Sequence, residues 1–428
     1  MRLVSTTGKS RATLADAVLH PFAADGSLYL PEATPVIPRA FFNNMSEMTI
    51  EEISYVVANT LLGEDIASSK LKSIVESSLT GAIPIHRLDD TTAIAELYHS
   101  PTLAYKDVST YFMCRAINEL RGIPRHPNFI VATTGNTGAS IANACHATRT
   151  GNAIILYPYG TLSRAQQSQF TTLGSNVYPV EVAGSIDDCK TIIKQLFADP
   201  ELCAQYHLVS ANTINILRIV PQVFYFFYLW SRLGAESKTP LDIAVPSGNM
   251  SNLLAGALAK KMGLPIGRLI AGCNATGIAL SSLLHGDTGA ASATLRRTIA
   301  SAMDSGRPTN LPRLAALYGG NTDLMRSDIS AYIVTDDDIA TTILSTGDYA
   351  IDPHTAVGLA ALRSYGSANG VALATAHPAK SLDVMTTVTG RAVELPLQLT
   401  RFMSRPKPSI HIAPTLAAIK RYVLDTLT

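Results

Sequence analysis

The sequence predicts an α/β protein built on parallel sheets, and three observations carry that prediction. Short apolar runs rich in β-branched residues recur along the chain. Longer segments with helical periodicity follow most of them. The runs are nearly continuous in hydrophobics rather than alternating, as expected of strands covered on both faces. The strands expected are Phe129–Thr133, Ala153–Tyr157, Val177–Val182, Asp242–Val245, Leu269–Cys273, Ala331–Val334 and Val371–Thr375. The helices expected include Gly138–Thr148, Ile186–Phe197, Asn252–Lys261 and Thr355–Ser364. Ile219–Trp230 is the most apolar stretch; it is too short to cross a bilayer, which takes about 20 residues, and reads as a buried helix. Gly- and Pro-rich clusters at 81–84, 122–127, 234–240 and 306–312 mark loops or linkers. The first ninety or so residues read as mostly helical, a candidate separate subdomain.

Composition narrows the class. The 428 residues are 47% hydrophobic and 16% charged, enough for a large core and for two or three packed domains. A net charge of +1 with scattered basic residues gives no nucleic-acid footprint. Five cysteines without a Cys-x-x-Cys pair imply reduced thiols in a cytoplasmic protein. The histidines show no metal-ligand spacing, so no metal is expected. Met1–His20 carries Arg2, Lys9 and Arg11, but also Asp16 and no apolar run, so a cleaved leader is not expected.

Four segments bear chemistry. Pro246-Ser247-Gly248-Asn249-Met250-Ser251-Asn252 lies between a strand and a helix expected to begin near Leu253. Free N–H groups at such a helix start, with Gly248 permitting close approach, form an anion site. The competing reading is an ordinary turn capped by Ser251 or Asn252. Thr133-Thr134-Gly135-Asn136-Thr137-Gly138 is a second strand-to-helix corner that lacks the further glycine of a dinucleotide fingerprint. Asn136 is either a capping residue there or an amide that contacts a ring oxygen. Lys106, between Tyr105 and Asp107, reads either as a solvated lysine or, in its apolar setting, as a buried nucleophile able to form a Schiff base. Thr375 is either a satisfied strand-end hydroxyl or a neutral partner for a pyridine nitrogen. His354 and His377 read as ordinary hydrogen-bonded histidines.

At these residues the chain resembles the threonine synthase family, pyridoxal-phosphate enzymes of fold type II. The resemblance extends over nearly the whole chain. It includes Val4-Ser5-Thr6 through Glu32, Ser210 through Arg218, Asp352-Pro353-His354-Thr355-Ala356-Val357, and Thr375-Ala376-His377-Pro378-Ala379-Lys380. It implies two open Rossmann-like domains, at 91–205 and 206–428, beside an N-terminal subdomain at 1–90. It further implies that Lys106 holds the cofactor covalently and moves protons. Gly248, Asn249, Met250, Ser251 and Asn252 would hold the cofactor phosphate, Asn136 the ring hydroxyl and Thr375 the ring nitrogen. The implied substrate is O-phosphohomoserine, the products are threonine and phosphate, and the assembly is a monomer or homodimer. Candidate substrate ligands are Thr134, Thr137, Ser163, Asn212, Asn215 and Arg218, with Lys380 a further cation. The chain departs from the family pattern at Thr7, Ser100, Tyr105, Tyr159, Thr161, Arg164, Met250 and Ser251. Tyr159 and Thr161 replace basic residues, which Arg164 is positioned to compensate. The departures leave two other readings open: a relative acting on a different γ-substituted amino acid, and a non-catalytic homologue that binds a phosphorylated metabolite.

Overall fold

A computed structural model describes residues 1–285, 297–406 and 408–427. Two parallel sheets organise the chain. The larger has six strands in the order Ile329–Val334, Leu269–Asn274, Asp242–Pro246, Gly370–Ala374, Thr92–Glu96 and Ile85–Arg87. Its strands run parallel except the last, which pairs antiparallel at one edge. The smaller has five parallel strands in the order Ile410–Ile412, Val177–Val182, Asn152–Pro158, Asn128–Ala132 and Leu208–Ser210. Phe129, Ile130, Val131, Ile243, Ala244 and Val245 are all fully buried, because helices cover both faces.

The expected elements occur with small shifts at their ends. Val177–Val182 and Ile186–Phe197 lie where the periodicity placed them. The helices at 136–148 and 251–261 begin two and one residues earlier than expected. The apolar stretch is indeed a buried helix, Val220–Leu233, with Phe224, Phe226 and Phe227 inaccessible.

Sheet membership does not follow the chain boundaries expected at 90/91 and 205/206. Thr92–Glu96 belongs to the larger sheet, and Leu208–Ser210 and Ile410–Ile412 join the smaller one. Each strand is recruited by parallel pairing with a neighbour distant in sequence, as Thr92–Glu96 is by Gly370–Ala374. One consequence matters for function: the chain leaves the larger sheet at Glu96 and enters the helix Lys106–Ile117 at the seam between the sheets.

The N-terminal segment is less helical and less separate than expected. Arg11–Thr13, Arg2–Ser5 and Tyr29–Pro31 form an antiparallel sheet. Its helix Ile50–Leu62 packs on Val220–Leu233, so Ile53 and Val57 share one continuous core with Phe226 and Phe129. Arg313 fastens this segment to the seam. Buried, it donates to the carbonyl oxygens of Tyr29 and Ile214, both at 2.6 Å.

Candidate active site

A cavity of about 310 Å³ opens at the carboxyl ends of the strands, between the two sheets. This is where open parallel sheets place ligands. Its walls bring together Lys106, Asn136, Gly248, Asn249, Met250, Ser251, Asn252 and Thr375, with Thr134, Thr137 and Asn212.

Lys106 and Thr375 meet because their backbones are stitched together. Tyr105 N–H donates to the Thr375 carbonyl at 3.0 Å, and His377 N–H donates to the Leu103 carbonyl at 3.1 Å. Asp107 fixes the turn before the helix by accepting from Thr102 N–H at 2.7 Å and from its hydroxyl at 2.6 Å. Burial, reinforced by the positive charge of Arg218, brings the Lys106 ammonium down from 10.5 to about 8. A lysine of that basicity has a usable fraction of neutral amine near neutrality, which is what a Schiff-base nucleophile requires.

The anion loop is built by backbone approach. A Cβ on Gly248 would stand 2.7 Å from the Met303 Cα, so no larger residue fits without displacing that segment. Met250 takes a left-handed φ of 64° just before the helix Ser251–Lys261, whose first N–H groups have no intrahelical partner. Asn249 Oδ1 accepts from Ser251 N–H at 3.1 Å, and its amide donates to the Thr213 hydroxyl at 3.2 Å. Asn252 is buried with both side-chain polar atoms unpartnered. The Ser247 hydroxyl donates back to the Val245 carbonyl at 2.8 Å, and Ser247 does not line the cavity.

The second corner is shaped by Thr133. Its hydroxyl oxygen accepts from Gly135 N–H at 3.0 Å and Gly138 N–H at 2.9 Å, beginning the helix Asn136–Thr148. Asn136 Oδ1 is buried and unpartnered. Unpaired buried polar atoms are costly, and these face a common cavity. The residues therefore fit pyridoxal phosphate: a nucleophilic lysine, a cation-free anion loop, a free Asn136 amide oxygen and the Thr375 hydroxyl.

Three of the expected substrate ligands lie elsewhere. Ser163 caps the helix Arg164–Thr171, accepting from Gln166 N–H at 3.3 Å. Asn215 is buried and spans Leu217 N–H and the Ser210 carbonyl, each at 3.1 Å. Arg218 lies beneath Lys106, its Nε donating to the Ser109 hydroxyl at 3.1 Å and its Nη1 to the Ala211 carbonyl. Its Nη2 has no partner, and burial lowers the guanidinium to about 10. None of the three lines the cavity. Asn212 does, but its amide is already paired with the Ala132 backbone, at 3.1 Å and 2.9 Å. Lys380 is buried and donates to the Thr102 carbonyl at 2.7 Å.

Sequence reasoning missed other walls of the cavity: Phe22, Lys190, Lys194, Asp304 and His354. His354 Nδ1 pairs with the buried Asp352 carboxylate, while Nε2 is unpartnered. Asp304 is tied to the Thr298 hydroxyl at 2.7 Å and the Asn274 amide at 2.8 Å. Lys190 and Lys194 lie on an exposed face of the helix Ile186–Phe197, where nothing local marks them as site residues. A spacing of four between two cations was the one available signal.

Fold and site together define a pyridoxal-phosphate enzyme of fold type II. The family model for pyridoxal-phosphate dependent enzymes matches residues 82–375, that for the threonine synthase N terminus residues 2–79, and that for the threonine synthase C-terminal region residues 355–423. Threonine synthase of Haemophilus influenzae is 32% identical over 423 residues, covering 98% of each chain. Threonine synthase of Escherichia coli is 30% identical over 420 residues, covering 97% of each. A crystal structure of the Escherichia coli enzyme superposes with a TM-score of 0.91 at 29% identity, covering 100% of both chains. The pyridoxal-phosphate-bound threonine synthase of Brucella melitensis gives 0.89 at 31% identity, covering 99% of this chain and 98% of that one. This chain belongs to the threonine synthase family.

Proposed function

We propose that the protein converts O-phosphohomoserine to threonine and inorganic phosphate. The observation that carries this reading is the stitched pair of segments that presents Lys106 and Thr375 to one cavity, opposite the anion loop. When bound, pyridoxal phosphate supplies an electron sink that makes protons on the substrate's Cα and Cβ acidic.

The chain's own residues do the rest. The loop from Gly248 to Asn252 would take the cofactor phosphate on backbone N–H groups and the Asn252 side chain. Asn136 and Thr375 would hold the ring, Thr375 as a neutral hydrogen-bonding group. Lys106 Nζ would hold the cofactor, and its free amine would carry protons between substrate carbons. Thr134 and Thr137 stand at the start of the helix Asn136–Thr148, where N–H groups favour an anion, and we assign them the substrate carboxylate. Phosphate leaves from Cγ, and one water then adds to Cβ.

Five buried, free cysteines agree with a cytoplasmic location, and no helix among the described residues is long and apolar enough to cross a membrane. The test is incubation of the cofactor-loaded protein with O-phosphohomoserine, following phosphate and identifying the amino acid. Homologues that use the same machinery on another γ-substituted amino acid would show cofactor absorbance without phosphate release from this substrate.

A further inference from the structure

A γ-phosphorylated amino acid brings a dianion into the cavity, and the cofactor machinery leaves it little charge. The segment Pro246–Asn252 contains no cation. Lys106 would be engaged with the cofactor. Arg218 and Lys380 donate to backbone carbonyls and do not line the cavity. The loop around Tyr159 faces away: Tyr159 is 64% exposed with its ring edge-on to His411 at 5.6 Å. Thr161 donates to the Pro158 carbonyl at 3.1 Å. Arg164, the expected compensating cation, donates instead to the Met403 carbonyl at 3.1 Å. Besides Lys106, the lysines and arginines that line the cavity among the described residues are Lys190 and Lys194.

Both project from one face of the helix Ile186–Phe197, four residues apart. The helix start is fixed by reciprocal capping between Ser185 and Asp188. The Lys194 ammonium lies 5.9 Å from the centroid of the Phe22 ring, which steers it along the cavity wall. Lys190 pairs with Asp187 at 3.1 Å, with side chains 45% and 54% exposed. Such an exposed pair is weak, and a dianion competes for it readily. Among the described residues, the acidic wall residue of the cavity is Asp304, whose negative charge disfavours a phosphate beside it.

We propose that Lys190 and Lys194 are the specificity-determining residues for the substrate's phosphate and hold it on the Ile186–Phe197 wall. This assignment deepens, and rests on, the reading of the substrate as a γ-phosphorylated amino acid. Their exposure makes the interaction salt-sensitive.

The test uses the cofactor-loaded protein and the variants Lys190→Gln, Lys194→Gln, the double variant and the double arginine variant. Binding is followed by the change in cofactor absorbance with O-phosphohomoserine and with homoserine. Inorganic phosphate is then titrated as a competitor. The double glutamine variant is expected to bind O-phosphohomoserine and phosphate at least tenfold more weakly, with homoserine binding and cofactor absorbance unchanged. The arginine variant is expected to recover most of that loss, and raising salt should weaken wild type more than the glutamine double variant. Equal weakening for homoserine and O-phosphohomoserine, or undiminished competition by phosphate, overturns the assignment. These binding measurements need no turnover. A wild-type protein that binds O-phosphohomoserine without releasing phosphate therefore defeats the functional reading, while the variants still decide the lysine assignment.

Discussion

The two ends of the cavity are built in opposite ways. The cofactor end is made of backbone: Gly248 against Met303, Met250 in a left-handed turn, and the Lys106 and Thr375 segments joined by main-chain bonds. The opposite wall is made of side-chain charge, Lys190 and Lys194 on an exposed helix face. Backbone construction tolerates little substitution, because each residue is required by conformation or space. A charged helix face can change its substrate preference at little cost in stability. Chemistry is thus fixed at one end and selectivity is adjustable at the other.

The contrast is broken or sharpened by substitution. Lys106→Ala should have the largest effect, lowering turnover by at least ~10⁴-fold, since nucleophile and proton carrier are both lost. Circular dichroism should show the fold intact; near-normal turnover would remove Lys106 from the centre of the mechanism. Gly248→Val comes next. The clash with the Met303 backbone should cost about 1–3 kcal/mol in the loaded loop geometry, a roughly 5- to 150-fold loss of cofactor affinity by equilibrium dialysis. Unchanged affinity would show that the loop is not held by close approach.

The pH dependence of cofactor loading tests Lys106 itself. Burial lowers its pKa to about 8, so the neutral amine is scarce below that pH and dominant above it. The rate at which stripped protein regains cofactor absorbance should rise through about pH 8 and level off. An inflection near 10.5, the ordinary lysine value, would mean that Lys106 is not held in a desolvated site. The smallest effect is expected from Arg218→Leu. Removing its charge should move that inflection upward, with burial still holding it below the ordinary value. Because Arg218 lies beneath the cavity, it should affect homoserine and O-phosphohomoserine binding equally. A selective loss of the phosphorylated ligand would show that its unpartnered Nη2 reaches the substrate.

The same contrast explains what could be read from sequence. The seven expected strands and the helix Ile186–Phe197 were legible from local periodicity, and the anion loop from its glycine and its position after a strand. Lys106 and Thr375 were legible through the family pattern, but their direct backbone pairing was not. It joins residues far apart in the chain, and no local signal specifies such a contact. Thr92–Glu96 and Ile410–Ile412 were not expected as strands, and their sheet membership was hidden for the same reason. Arg218 and Asn215 looked like ligands because a polar residue beside a conserved-looking motif gives no sign of which way it faces; both point into the protein. Lys190 and Lys194 were overlooked for the converse reason. Exposed lysines on a helix resemble a solvated surface until a second wall, carrying Phe22, is folded across from them.

The central claim is tested most directly by supplying O-phosphohomoserine to the cofactor-loaded protein and measuring released phosphate against the amino acid formed. The account predicts threonine and phosphate in equal amounts, abolished by Lys106→Ala. Intact cofactor absorbance with no phosphate released, or phosphate released without threonine, would contradict it.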